Sequence, residues 1–115
     1  VDDEESLRNA GRELFEAFGY RVLTARDGEG ALEIYRGKME QIDLIVLDLL
    51  MPGMGGKRCL EELVKWNPDV KVIIASGYSD SNRLKKAQQI GASAYIRKPY
   101  SIEAIAKIVH SELKK

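Results

Sequence analysis

The chain has 115 residues, 44% of them hydrophobic and 31% charged, and its 18 basic and 18 acidic side chains cancel. That length and composition suit one globular domain able to bury a sizeable core, and the charge balance gives no bulk attraction to nucleic acid. A single cysteine, Cys59, excludes an internal disulfide and a cysteine-based zinc cluster.

No apolar run approaches the roughly 18 residues that span a bilayer. The acidic opening Val1-Asp2-Asp3-Glu4-Glu5 is the reverse of the basic start of a signal peptide. No direct membrane insertion and a reducing, cytoplasmic setting are the expectation. Neither repeats nor low-complexity tracts interrupt the sequence.

The four acids favour the positive end of a helix dipole, and Leu7, Ala10, Leu14, Phe15 and Phe18 recur at helical spacing up to Gly19, which is placed to end that helix. Residues 20–25 (YRVLTA) alternate enough to predict a strand. Asp27 is the cap of a second helix that turns Ala31, Leu32, Tyr35 and Met39 inward. Residues 44–47 (LIVL) form a continuous branched apolar run, the pattern of a strand buried on both faces of a parallel sheet. The run stops at Asp48. Residues 53–56 (GMGG) predict a mobile loop before a third helix with Leu60, Leu63 and Val64 on one face, stopped by Asn67-Pro68-Asp69.

Residues 70–75 (VKVIIA) predict another buried strand that ends at Ser76-Gly77. Asp80 or Ser81 then caps a polar helix with Leu84, Ala87 and Ile90 inward and Gly91 at its end. Residues 94–96 predict a brief strand running into Arg97-Lys98-Pro99. Ser101 caps the last helix, whose inward stripe is Ile102, Ile105, Ile108 or Val109, and Leu113. Cys59 and Trp66 read as packing residues, and His110 as a surface residue.

Alternating strands and helices imply a doubly wound parallel α/β sheet with right-handed crossovers. The helix that opens the chain has no strand before it. Val1 is therefore expected to be the last residue of a first strand that is largely missing, and residues 1–115 to be one domain from a longer chain.

On that reading Asp2 and Asp3, Asp48, Ser76 and Lys98 all stand at carboxyl ends of strands, the rim where open α/β sheets bind ligands. Three clustered carboxylates repel one another. A hard divalent cation removes that cost, and Mg2+ suits a site completed by a phosphate. With a lysine for an anion and a hydroxyl beside it, the set is that of a phosphoryl-transfer site, and Asp48 is the candidate nucleophile.

The ordered set Asp2-Asp3, Asp48 followed by Met51-Pro52-Gly53, Ser76 and Lys98-Pro99 resembles the receiver domains of two-component response regulators along the whole chain. The resemblance implies a flavodoxin-like five-stranded sheet of order 2-1-3-4-5. It implies that Asp48 accepts a phosphoryl group from the phosphohistidine of a histidine kinase or histidine phosphotransfer domain, as a self-catalysing switch rather than an enzyme.

By the same resemblance Asp2, Asp3, Asp48 and the backbone carbonyl of Leu50 hold Mg2+, Ser76 and Lys98 grip the phosphoryl oxygens, and Ser76 and Tyr95 form the switch. Output is expected at the face of the fourth helix, fifth strand and fifth helix, where a homodimer could also form. Ser76 replaces the more usual threonine and Tyr100 a frequent phenylalanine. Residues 52–57 and 75–79 look like receivers attached to hybrid histidine kinases.

Two rival readings are weaker. A dehalogenase-type phosphohydrolase needs an acid two residues after its nucleophile, where this chain has Leu50. A flavin or nucleotide module of flavodoxin type needs a phosphate-binding loop where this chain has Asp2-Asp3-Glu4-Glu5, which repels a phosphate lacking its metal.

Overall fold

The branched apolar runs pair as the alternation pattern requires. In the computed structural model, which describes residues 1–2, 4–49, 55–76, 81–97 and 100–114, strands β1 (Ile45–Asp48), β2 (Val72–Ser76) and β3 (Ala94–Arg97) form a parallel sheet in that order. Asp48 is level with Ala75, and Ser76 with Arg97. Helices α1 (Glu5–Ala17), α2 (Gly28–Lys38), α3 (Gly55–Trp66), α4 (Ser81–Ile90) and α5 (Ile102–Lys114) alternate with the strands, and a 3-10 turn, Met39–Gln41, follows α2.

β2 is buried along its whole length, and its side chains divide between two cores, as period-2 pleating dictates. Val72 and Ile74 join Leu47 and Leu49 against Leu32 and Tyr35 of α2, Leu60 and Leu63 of α3, and Leu84 of α4. Ile73 and Ala75 join Ile96 against Ile105 and Val109 of α5, with Leu14 and Phe15 of α1 at the margin. Full burial of such an aliphatic side chain contributes about 1.5–3 kcal/mol, so this two-faced strand is where most of the sheet's apolar energy is gathered.

Helix ends follow local chemistry. The Asp27 carboxylate accepts from Gly30 N at 2.7 Å, and Ser101 Oγ accepts from Ala104 N at 3.1 Å. Gly19 and Gly91, just past α1 and α4, have φ of 91° and 138°, a region that costs residues with a Cβ dearly. Tyr35, buried in the core, has its hydroxyl held by Asn67 Nδ2 at 3.1 Å. His110 is exposed and Cys59 buried, as expected; Val109 takes the buried position, with Ile108 half-buried. The Asp80 or Ser81 cap and the side chain of Ile102 lie outside the described residues.

Two expectations need correction. Residues 20–25 are not a strand in the structure. The only backbone bond from the sheet to them is Asp2 N to Ala25 O at 3.1 Å, among the described residues, and one rung is not a ladder. The apolar stripe of α1 is incompletely covered, with Leu7 and Phe18 exposed. Finally, Gly55 and Gly56 are not loop; they open α3.

Val1 and Asp2 nonetheless stand where a first strand belongs. The Val1 amine donates to Val46 O at 2.6 Å, and Asp48 N donates to Val1 O at 3.0 Å. These two bonds flank a parallel bridge between Val1 and Leu47. With Ala25 on its other side, Asp2 lies between residues 20–25 and β1, consistent with the order 2-1-3-4-5 in which the present β1, β2 and β3 are the third, fourth and fifth members.

Candidate functional site

Asp48 is the last residue of β1, and it is only 6% exposed. A carboxylate withdrawn from water to that degree must be compensated by donors or cations. Its backbone is held from both sides: Asp48 N donates to Val1 O, and Leu49 N donates to Ala75 O, both at 3.0 Å. The nucleophile candidate therefore projects from a fixed strand end between the Val1–Asp2 segment and β2.

Extending the Val1–Leu47 bridge by one residue sets Asp2 level with Asp48. Asp2 is half-buried, its Oδ1 accepts from Glu4 N at 3.0 Å, and its carbonyl accepts from Arg8 Nη1 at 3.0 Å. These bonds tie the start of α1 to the rim.

Ser76 ends β2, one residue beyond the partner of Asp48. It is 2% exposed, and its Oγ is buried with no hydrogen-bond partner among the described residues. Leaving such a hydroxyl unpaired costs about 1–3 kcal/mol, a cost that a bound oxygen acceptor removes. Tyr95 on β3 is 46% exposed, its ring outside the core. The sequence-derived site residues Asp3, Leu50 and Lys98 lie outside the described residues, so the structure brings together Asp2, Asp48 and Ser76 of the expected set.

Among the described residues no group of three histidines, cysteines or acids is close enough to hold a metal ion; the expected three-acid set includes Asp3. The chemistry of the described groups suits a hard cation with a phosphoryl group beside it: carboxylate oxygens on Asp2 and Asp48, and on Ser76 a hydroxyl with no partner among the described residues.

Sequence reading overlooked Gly56 as a site neighbour. Its amide donates to Leu49 O at 3.1 Å, and a Cβ there would lie 2.6 Å from Asp48 O. The signal was present as a glycine pair seven and eight residues after the acid, but residues 53–56 read as loop because glycine is a poor helix former. None of the described helices is long and apolar enough to cross a membrane.

Parallel sheet, helices on both faces and a buried aspartate at the carboxyl rim define the class, a flavodoxin-like α/β domain. The chain belongs to the response regulator receiver domain family, whose model matches residues 1–110. Such domains are signalling switches of two-component systems and engage histidine kinases or phosphotransfer proteins.

The sensor kinase CckA of Brucella abortus is 34% identical over 115 residues, a match that covers 100% of this chain but 12% of that protein. A receiver domain structure from Clostridium thermocellum superposes with a TM-score of 0.94 at 30% identity, covering 98% of this chain and 90% of that one. A CheX–CheY–BeF3–Mg2+ complex from Borrelia burgdorferi matches with a TM-score of 0.90 at 29% identity over 96% of this chain and 84% of that one.

Proposed function

We propose that Asp48 is the phosphoacceptor. One carboxylate oxygen attacks the phosphorus of a phosphohistidine, the P–N bond breaks, and the donor imidazole leaves with the electron pair and takes up a proton. The observation that carries the reading is a buried Asp48 and, at the adjacent strand end, a buried Ser76 whose Oγ has no partner among the described residues.

Asp2, Asp3, Asp48 and the backbone carbonyl of Leu50 would hold Mg2+, which when bound neutralises charge on the transferring group. The magnesium and beryllium fluoride named in the Borrelia complex support this choice. Ser76 donates a hydrogen bond to one phosphoryl oxygen, and Lys98 balances another. The reaction needs no separate enzyme on the receiver side, because the residues that position the phosphoryl group belong to this chain.

The switch follows from the same contacts. Ser76 moves toward the new acceptor on Asp48, and Tyr95, now exposed, turns into the space released. The α4–β3–α5 face changes with it and engages a partner or a second copy. Phosphate biases these two states only through its different contacts with each.

The match over the whole chain to part of a sensor kinase supports parentage in a hybrid histidine kinase. A histidine phosphotransfer domain is then the partner, and phosphotransfer assayed against a panel of such domains tests this.

Amide chemical shifts on addition of beryllium fluoride and Mg2+ test the main reading. In the wild type, residues at the ends of β1 and β2 respond together with 83–90 and 95–108. Ser76→Ala retains Mg2+ binding but weakens the response of the distant face, and Tyr95→Ala weakens it further. An undiminished distant response in Ser76→Ala counts against the hydroxyl–tyrosine route.

A further inference from the structure

We propose that Gly56 is a positioning residue for Asp48, an inference that rests on the phosphoacceptor reading. The first turn of α3 is seated on the backbone that carries the acid. Gly56 N donates to Leu49 O at 3.1 Å, while a Cβ at residue 56 would meet Asp48 O and Leu49 Cα at 2.6 Å and Leu49 O at 2.7 Å. All three neighbours are backbone atoms, so no side chain can swing aside.

The neighbouring Gly55 is different in kind. Its φ is 79°, which gives it a conformational need for glycine, yet nothing lies within 4 Å of a Cβ built there. One glycine shapes the turn; the other makes room for the acid.

Asp48 and Leu49 are already fixed on their amide sides by Val1 O and Ala75 O. Gly56 closes the arrangement from the carbonyl side, between Asp48 and the residue whose carbonyl is assigned to the metal. A methyl group must widen the contact by roughly 0.4 Å or more to reach even the 3.0 Å floor of real Cβ contacts. The strain falls on the peptides flanking the nucleophile. Misplacement by 1 Å costs on the order of 100-fold where reacting groups must be aligned, so a shift of this size is expected to cost about tenfold.

The test compares wild type, Gly56→Ala and Gly55→Ala by Mg2+ titration without phosphodonor, labelling rate with acetyl phosphate, and thermal stability. Gly56→Ala is expected to weaken Mg2+ affinity and slow labelling by about tenfold or more. Gly55→Ala is expected to lose stability through its strained backbone while both readouts stay near wild type. A folded Gly56→Ala with wild-type Mg2+ affinity and labelling overturns the proposal. So does a Gly55→Ala that loses both as severely, since the effect is then one of stability.

If Gly56→Ala does not fold, hydrogen exchange in the wild type decides. Linkage is reciprocal: if the Gly56–Leu49 bond favours the metal, Mg2+ must slow exchange of the Gly56 amide. Unchanged exchange at saturating Mg2+ overturns the proposal. A wild type that takes up neither Mg2+ nor a phosphoryl group overturns the phosphoacceptor reading itself, and this inference with it.

Discussion

Residues 20–25 and β2 are made of similar material and reach different states. YRVLTA is rich in strand-forming residues, as VIIAS is, and α1 carries an apolar stripe as regular as that of α5. Yet every residue of β2 is buried, whereas α1 buries none and Phe18 and Leu23 are more than half exposed. The difference lies in neighbours. β2 has a paired strand on each side, while residues 20–25 receive one backbone bond from Asp2. Strand propensity is realised through packing and pairing. The proposed site lies at the seam between these regions, with Asp48 and Ser76 on the firm side and Asp2 on the other.

Truncating side chains on the two sides should separate them most widely. Ile74→Ala empties a fully buried position and should cost about 3 kcal/mol, within the usual 2–5 kcal/mol range for buried aliphatics. Leu7→Ala, at a residue 45% exposed, should cost less than about 1 kcal/mol. Urea unfolding measures both. Equal losses would mean that α1 is packed as firmly as β2.

Titration gives a smaller effect inside the firm region. Burial raises the Cys59 thiol from 9.0 to about 11, so the native state keeps a proton that the unfolded chain has already lost. The thiol's contribution is complete below about pH 9 and is lost as pH rises through about 11, on the order of 3 kcal/mol at most. Cys59→Ala should be less stable at neutral pH but should show a shallower fall in stability above pH 9. Parallel curves for the two proteins would break the account of this core.

Smaller again, and opposite in sign, is Ser76→Ala. Removing a buried hydroxyl that has no partner among the described residues should stabilise the protein by about 1 kcal/mol, measured as a rise in Tm without metal or phosphodonor. Destabilisation would show that the hydroxyl is already satisfied and does not await an acceptor.

What the sequence made legible were features governed by short-range chemistry. The Asp27 and Ser101 caps and the glycine ends of α1 and α4 are set within a few residues, and all are as anticipated. Continuous apolar runs located β1 and β2 to within a residue or two, and Asp48 was found because the run ends on it. Residues 20–25 were misjudged because strand propensity is realised only through pairing, and among the described residues they receive one backbone bond from Asp2. Gly56 was misjudged because glycine is a poor helix former, so the pair read as loop although it opens α3 against Asp48 and Leu49.

The central claim is that Asp48 takes the phosphoryl group, and intact-mass measurement after incubation with acetyl phosphate and Mg2+ tests it most directly. The wild type should gain the mass of one phosphoryl group. Asp48→Asn, which keeps the shape of the side chain but exchanges the attacking oxygen for an amide, should gain none. Labelling of Asp48→Asn to the wild-type extent would contradict the assignment and move the acceptor elsewhere in the chain.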